Sequence, residues 1–504
     1  MPSTNLSRRM SAEDAWFLYF ERPDAPLHIG SVGIYEGDIP VEALRASMDA
    51  RMHLIPRYRQ RAVIPPLYAA HPLWHDDPHF SLDRHLHEVR LPEPGDERQL
   101  LEASAAIFAE ILPRDRPLWD ITVVRGLAGN RTAYVSRVHH CLVDGVSGIE
   151  LLLAVLDLTP NPDPPTPPEE PWQPEEIGSA VETWGDAIFD QWATSLRAWG
   201  DWQQTALDAR AQMRRATDIA RALQVTLPLA LRPPFRAPWN KPIGGKRHVA
   251  WTEMSFQEVR RIRGVAGGTV NDVMLTLLGG ALGRYLRAHG VKTDGATLRL
   301  MIPVNVRTED QKGALGNRVS MMLPELPVGI EDPLARLAAV RDEMERRKSQ
   351  GQSDAFDALS SLAENIPAAY HALGGLAGVP QGGVNLVCTN VPGPLIPLYS
   401  VGHRMLAHYP LVPLAGDLGL GVGITSFDKG LYVGFMADPQ IIDDVDLIAR
   451  YFAEEFGALR TAAGVPESDL PEIGLPPLNG NGTNGAKPAR RASRPRRPKK
   501  AASR

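Results

Sequence analysis

The stretch that decides the fold is His139-His140-Cys141-Leu142-Val143-Asp144-Gly145. It follows residues 132–138, a short run of mostly alternating, β-favouring residues that predicts a strand. Because successive side chains of a strand point to opposite faces, we expect one imidazole to face a cleft and the other the packed interior. Imidazole is the side chain best matched to accepting a proton near neutral pH. We therefore interpret one histidine as a general base and Asp144 as a brace for the turn.

Length and charge limit the class of protein. The chain has 504 residues, enough for two or more domains with their own cores. Residues 487–504 carry nine Lys and Arg and no acidic residue, while the remaining 45 Lys and Arg stand against 59 Asp and Glu, a net charge of −14. An acidic body argues against nucleic acid as the main partner.

Cysteine use and hydropathy indicate the compartment. The only cysteines, Cys141 and Cys388, form neither a disulfide framework nor a zinc-ligand pattern, which favours a reducing environment. The N-terminus lacks the apolar core of a signal peptide, and no apolar run reaches the roughly 18 residues of a spanning helix. We expect a cytoplasmic protein without a metal site.

The order of elements predicts an α/β protein in two blocks. The first block is residues 1–158, and the second is residues 247–470. A connection at 159–246 begins with eight prolines between positions 159 and 174, which favour an extended chain. Residues 471–504 are Pro/Gly/Asn-rich and then basic, a composition that predicts disorder.

Periodicity places the individual elements. The predicted strands are 29–35, 132–138, 298–304, 384–389, 419–425 and 431–436. The predicted helices are 41–52, 97–111, 146–158, 270–288 and 333–348. Gly419, Gly421 and Gly423 lie inside a strand pattern and have no helix start after them, so they indicate close backbone approach and not a dinucleotide loop.

An aromatic stripe follows the proline-rich segment. Trp184, Ile188, Trp192, Leu196 and Trp199 recur every three or four residues and would share one face of a helix. Two interpretations stay open: packing against the protein body, or contact with a membrane or lipid surface. The basic tail has a similar pair of interpretations, either attraction to anionic phospholipid or simple solvation.

Several separated motifs resemble one family. His139-His140-x-x-x-Asp144-Gly145 matches the HHxxxDG signature of the CoA-dependent acyltransferase superfamily. Pro117-Leu118-Trp119-Asp120, Asn271-Asp272 and Asn390-Val391-Pro392-Gly393-Pro394 resemble the PLW, ND and NVPGP motifs of bacterial wax ester synthase/acyl-CoA:diacylglycerol acyltransferases. Residues 14–21 and 26–30 look like the start of that family. The resemblance covers about residues 6–457 and leaves out the basic tail.

The resemblance implies two chloramphenicol-acetyltransferase-like domains with a channel between them. It implies an enzyme that joins acyl-CoA, as a co-substrate and without further cofactor, to diacylglycerol or a long-chain alcohol at a membrane or lipid-droplet surface. His140 would be the general base, and no acyl-enzyme is needed because two bound substrates already gain proximity. Neither Cys141 nor Ser147 has the surroundings of a nucleophile elbow.

The other motif residues would support the base. We expect His139 to be structural, Gly145 to permit a tight turn, and Asp144 to pair with Arg307 instead of polarising His140. Asn271 has two open roles, a donor near the oxyanion or His140, or helix capping together with Thr269 and Asp272. Pro117, Leu118 and Trp119 are expected to pack around the acyl channel. The segment of Asn390, Pro392 and Gly393 would shape the channel wall and the domain junction.

Two other functions remain as alternatives. The first is a condensation-type or small-alcohol acyltransferase of specialised metabolism, which the absence of a carrier-protein domain in this sequence disfavours. The second is a non-catalytic lipid-binding protein, against which the intact His-His-Asp-Gly signature counts.

Overall fold

The architecture is known from a computed structural model. It describes residues 9–142, 155–175 without 164 and 169, the single positions 185, 189 and 213, and residues 232–305, 319–352, 368–377 and 383–468. The predicted helix at 146–158 falls mostly outside the described residues. The aromatic stripe and the basic tail lie outside them as well.

Two large mixed sheets form the body. The first has six strands in the order β12-β13-β1-β6-β5-β4. These strands are β1 (His28–Glu36), β4 (Leu86–Arg90), β5 (Trp119–Leu127), β6 (Arg131–His139), β12 (Tyr399–Ser400) and β13 (His403–Leu411). β1 lies between β6 and β13 and is antiparallel to both, with Val32 opposite Val135 and Tyr409. The predicted strands 29–35 and 132–138 are confirmed.

The second sheet follows the order β10-β8-β11-β14-β15-β7, and β9 also pairs with β8. Its members are β7 (His248–Ser255), β8 (Thr297–Asn305), β9 (Val319–Met322), β10 (Glu325–Pro327), β11 (Leu386–Val391), β14 (Leu420–Phe427) and β15 (Gly430–Ala437). A small third sheet pairs β2 (Gln60–Val63) with β3 (Leu73–Asp76). The four strands predicted in this half, within β8, β11, β14 and β15, are therefore confirmed to within two residues.

The described helices are found in both halves of the chain. They are α1 (Ala12–Phe20), α2 (Val41–Asp49), α3 (Glu97–Phe108), α4 (Phe256–Ala266), α5 (Val270–Ala288), α6 (Pro333–Ser349), α7 (Ala368–Ala377) and α8 (Val445–Ala462). α5 has the predicted bounds, and a capping box of Thr269 and Asp272 defines its start. It is buried nearly all round and packs against α6 and α8 in the core of the second sheet.

No single described helix has both the length and the apolar composition to cross a membrane. Among the described helices, α4 and α5 have the required length and apolar composition only when they are taken together, and the chain bends by 97° between them.

The two halves of the chain are interlocked by β13. This strand belongs to the second half of the sequence, yet it is hydrogen-bonded to β1 in the first sheet. The sequence analysis did not predict it. Its alternating burial is typical of a strand with one buried face, but alternation does not specify which sheet a strand joins. The block at 247–470 thus contributes two strands to the sheet of the other block.

The sheets touch where glycines remove side chains. A Cβ on Gly421 would lie 2.8 Å from Val412 Cγ2, and one on Gly423 would lie 3.1 Å from the Pro410 carbonyl oxygen. A Cβ on Gly434 of β15 would overlap that same carbonyl oxygen. The prediction of close backbone approach at the β14 glycines is confirmed.

Replacement of Gly434 by alanine should destabilise the protein by about 1–3 kcal/mol, because the new methyl group forces β13 away from β15. Gly457→Ala is the matched control. Its added Cβ meets nothing within 4 Å in α8, so helix propensity should leave stability unchanged or raise it by up to about 1 kcal/mol. Urea unfolding of both variants measures the difference, and equal stabilities would contradict this packing.

Candidate active site

A large cavity lies between the two sheets. Its volume is about 910 Å³, and both halves of the chain line it. The wall is mainly apolar and includes Ile29, Trp119 and Val138 from the first sheet and Met301, Val387 and Val391 from the second. A cavity of this size and composition can accommodate an extended hydrocarbon chain.

His140 faces this cavity from the end of β6. Its backbone N–H donates to the Leu27 carbonyl oxygen at 3.0 Å. Its ring is stacked on the Phe17 ring, with 3.9 Å between centroids and 6° between planes. Phe17 of α1 also lines the cavity, so the two stacked rings form part of its wall.

His139 points to the opposite side and is fully buried. Its Nδ1 accepts a hydrogen bond from the Cys141 N–H at 3.2 Å, and its Nε2 lies 3.3 Å from Glu21 Oε1. The predicted division of the two histidines between opposite faces is confirmed.

Glu21 is the carboxylate that holds this arrangement, and the sequence analysis did not identify it. It follows the last residue of α1, and its side chain is 1% exposed. In addition to this 3.3 Å contact with His139, it accepts hydrogen bonds from the Leu27 N–H at 3.1 Å and from Arg114 Nη2 at 3.0 Å. Burial by itself would raise the pKa of Glu21, but the hydrogen bonds and charges of these partners lower that pKa to about 2.

The Pro-Leu-Trp motif lies beside the histidines. The Leu118 carbonyl oxygen accepts the His139 N–H at 2.9 Å, and the Pro117 carbonyl oxygen accepts the Trp119 N–H at 3.0 Å. Trp119 lines the cavity, and its indole N–H donates to the Tyr58 carbonyl oxygen at 2.8 Å. Trp119 thus supplies part of the cavity wall and Leu118 a backbone contact to His139, while Pro117 and Leu118 are not among the residues that line the cavity.

The two residues of the Asn-Asp motif have different side-chain partners. Asp272 accepts the Thr269 N–H at 2.8 Å and donates its own N–H to Thr269 Oγ1 at 3.2 Å, so it caps α5. Asn271 is not among the residues that line the cavity; its Oδ1 accepts from Asn390 Nδ2 at 3.0 Å. Asn390 does line the cavity, so Asn271 contacts the wall through it.

The rest of the Asn390 segment turns away from the cavity. Pro392 is exposed, which is a correction to its expected place in the channel wall. Gly393 donates its N–H to Ser426 Oγ at 3.0 Å, behind the wall. Only Asn390 and Val391 of this segment face the cavity.

Three predicted site residues, Asp144, Gly145 and Arg307, lie outside the described residues, so the Asp144–Arg307 pair stays a prediction. Among the described residues, no three His, Cys, Asp or Glu side chains converge as a metal site would require. The described polar groups in the cavity wall include Ser31, Ser136 and His408, none of which the motifs identified.

The family model of the wax ester synthase/diacylglycerol acyltransferase catalytic domain matches residues 10–274, and the model of the WS/DGAT C-terminal domain matches residues 315–460. The chain belongs to the wax ester synthase/diacylglycerol acyltransferase family. It is an acyltransferase.

Relatives of this family are similar over most of their length. The protein tgs1 of Mycobacterium tuberculosis strain H37Rv, named a probable diacylglycerol O-acyltransferase, is 32% identical over 444 residues, which cover 87% of this chain and 92% of the relative. Solved structures share the fold. The wax ester synthase/diacylglycerol acyltransferase from Marinobacter aquaeolei VT8 aligns with a TM-score of 0.62 at 22% identity, over 91% of this chain and 100% of that one.

The first condensation domain of the calcium-dependent antibiotic synthetase also aligns, with a TM-score of 0.57 at 16% identity, over 90% of this chain and 97% of that one. The expected two-domain mixed α/β fold is confirmed by these alignments. The fold is common to both kinds of protein and does not choose between them.

Glu21→Gln should change how stability depends on pH. The pKa of Glu21 lies below its unfolded value, so its ionised form stabilises the protein above about pH 4.5, and this contribution is lost as the pH falls toward about 2. We expect the wild type to lose about 2 kcal/mol relative to the variant between about pH 6 and about pH 3.

Urea unfolding at several pH values measures this difference. Glu102→Gln is the control, because Glu102 forms only an exposed ion pair with Arg98 and should leave the pH dependence unchanged. If the difference in free energy of unfolding between the wild type and Glu21→Gln were the same at every pH, the ionised, buried state of Glu21 would be refuted.

Proposed function

We propose that the protein transfers a fatty acyl group from acyl-CoA to the hydroxyl of diacylglycerol or of a long-chain alcohol, with His140 as the general base. The observation that carries this proposal is the imidazole of His140 facing a cavity of about 910 Å³ with a mainly apolar wall. The names of the relatives support the class of acceptor. The large apolar volume favours lipid substrates over the small polar substrates of a condensation-type enzyme.

The proposed reaction uses one base placed between two bound substrates, the acyl-CoA and the acceptor alcohol. The His140 imidazole takes the proton of the acceptor hydroxyl while that oxygen attacks the thioester carbonyl carbon. The tetrahedral intermediate expels the CoA thiolate, and the imidazolium returns the proton to the leaving sulfur. One ester bond forms and one thioester bond breaks, so the histidine ends neutral.

The residues around His140 would act by position. Phe17 fixes the plane of the ring, and the Leu27 carbonyl oxygen fixes its backbone. Asn271 would orient Asn390 in the cavity wall, so we assign it a positioning role. Attachment to a membrane or lipid droplet also stays a prediction, since the stripe and the tail on which it depends lie outside the described residues.

His140→Ala should lower kcat by at least about 10²-fold, because the acceptor loses the group that takes its proton. Free CoA released from acyl-CoA, with diacylglycerol or hexadecanol as acceptor, measures the rate. His87→Ala is the matched control, since His87 is exposed on β4 away from the cavity. Turnover of His140→Ala close to the wild-type rate would exclude the proposed base.

Direct transfer also predicts that labelled CoA will not exchange into acyl-CoA when no acceptor is present. Among the described residues, Cys141 is the thiol nearest the base in sequence, and it is 2% exposed. Burial raises its pKa well above the ordinary range, so the reactive thiolate is suppressed. Rapid exchange of label without acceptor would instead indicate an acyl-enzyme.

A further inference from the structure

Three uncharged polar side chains lie together on the cavity face of the first sheet. Along β6, Ser136 and Val138 alternate onto this face, and His140 follows directly after the strand; all three line the cavity. Ser31 of β1 is directly opposite Ser136, and His408 of β13 is opposite Gly33, two residues further along β1. Directly paired residues share a face, so Ser31 and Ser136 are neighbours there, and His408 lies diagonally across from Ser31 on the same face, with β1 between it and Ser136.

These side chains have unused hydrogen-bonding capacity. Within the part of the chain that the structure describes, none of the three side chains forms a hydrogen bond or an ion pair. The His408 ring contacts Phe427 edge to face, with 6.3 Å between centroids. Burial lowers the pKa of His408 to about 4, so its imidazole is neutral at neutral pH and can both donate and accept.

The ion pair nearest to this group in the sheet is formed by Arg137 and Asp120, and both residues also border the cavity. Arg137 donates to both carboxylate oxygens of Asp120, at 2.9 and 2.6 Å, and to the carbonyl oxygens of Ile107 and Glu110 beside α3. Its guanidinium is therefore already engaged by these four oxygen atoms. Because Arg137 is already paired with Asp120, it is not available to bind a phosphate or carboxylate of a substrate. This favours an uncharged substrate group at Ser31 and Ser136.

The distance from the reacting centre is set by the strand. Ser136 precedes His140 by four residues, and a strand rises about 3.3 Å per residue, so the two Cα atoms are about 13 Å apart. We infer that Ser31, Ser136 and His408 form a hydrogen-bonding subsite for an uncharged amide, hydroxyl or carbonyl group that a substrate carries about 13 Å from its reacting carbon. This inference rests on the proposed function.

Two parts of a thioester substrate could supply such a group. One is the pantetheine arm of CoA, which carries amides and a hydroxyl between the sulfur and the phosphates. The other is an oxygen in the middle of the acyl chain. A plain hydrocarbon would leave these three side chains without a partner, which costs free energy in an apolar cavity.

The test combines two variants with three substrates. Ser31→Ala and Ser136→Ala each remove one hydroxyl, and Ser136→Thr keeps it as the matched control. The substrates are hexadecanoyl-CoA, the hexadecanoyl thioester of N-acetylcysteamine, which lacks most of the pantetheine arm, and a hexadecanoyl-CoA with a mid-chain hydroxyl. kcat/KM is measured with one common acceptor, and titration calorimetry without acceptor measures affinity.

Loss of one neutral hydrogen bond should lower kcat/KM and affinity about three- to tenfold. A loss with both CoA thioesters but not with the N-acetylcysteamine thioester supports the subsite and assigns it to the pantetheine arm. A loss only with the hydroxylated chain supports the subsite and assigns it to the acyl group. Ser136→Thr keeps the hydroxyl and should therefore lose less kcat/KM and affinity than Ser136→Ala with the same substrate.

Unchanged constants for both alanine variants with every substrate would overturn the subsite. So would an equal loss in Ser136→Thr and Ser136→Ala, because the hydroxyl would then not be its cause. If the wild type forms no ester from any pair of substrates, the proposed function fails. The subsite is still tested in that case, because the calorimetric affinities of the wild type and the serine variants can be compared without turnover.

Discussion

The buried carboxylate of Glu21 is the constraint on which the site depends. It ties together the end of α1, the His139 imidazole and the backbone of Leu27, whose carbonyl oxygen in turn receives the His140 N–H. Phe17, one turn earlier in α1, stacks on His140. One helix end thus fixes both histidines, the first through a charge-assisted contact in the interior and the second through a ring contact in the cavity. Such a carboxylate is costly to bury unless its partners are all present, so the arrangement forms as a unit.

The cavity depends on a second constraint, the exchange of β13 between the halves of the chain. Because β13 pairs with β1 and its Pro410 lies against Gly423 and Gly434 of the other sheet, the two sheets are held at a fixed separation. The side chains of both then enclose one apolar space in front of His140. The proposed chemistry needs this enclosure, since a base between two long chains must hold them in line and exclude water.

Local signals in the sequence predicted much of this fold. The bounds of α5 follow from its capping box and its long apolar run, and the opposite faces of His139 and His140 follow from the two-residue period of a strand. The cap is formed by Thr269 and Asp272, whereas the Asn271 side chain, for which capping was one of two open roles, accepts a hydrogen bond from Asn390. The matching motifs identified the family, although Pro392 proved to be exposed.

Long-range contacts could not be predicted in this way. Glu21 lies in the segment that looks like the family's start, but nothing local shows that it meets a histidine more than a hundred positions later. The membership of β13 in the first sheet and the grouping of Ser31 with Ser136 and His408 depend on strand order and register, which alternation alone does not specify.

A crystal structure of the protein with a non-reactive acyl-CoA ether and a long-chain alcohol would test the central claim most directly. The account predicts the acyl chain within the cavity between the sheets and the alcohol oxygen about 2.6–3.2 Å from a ring nitrogen of His140. An acyl chain bound elsewhere, or an alcohol oxygen beyond the reach of that imidazole, would contradict it.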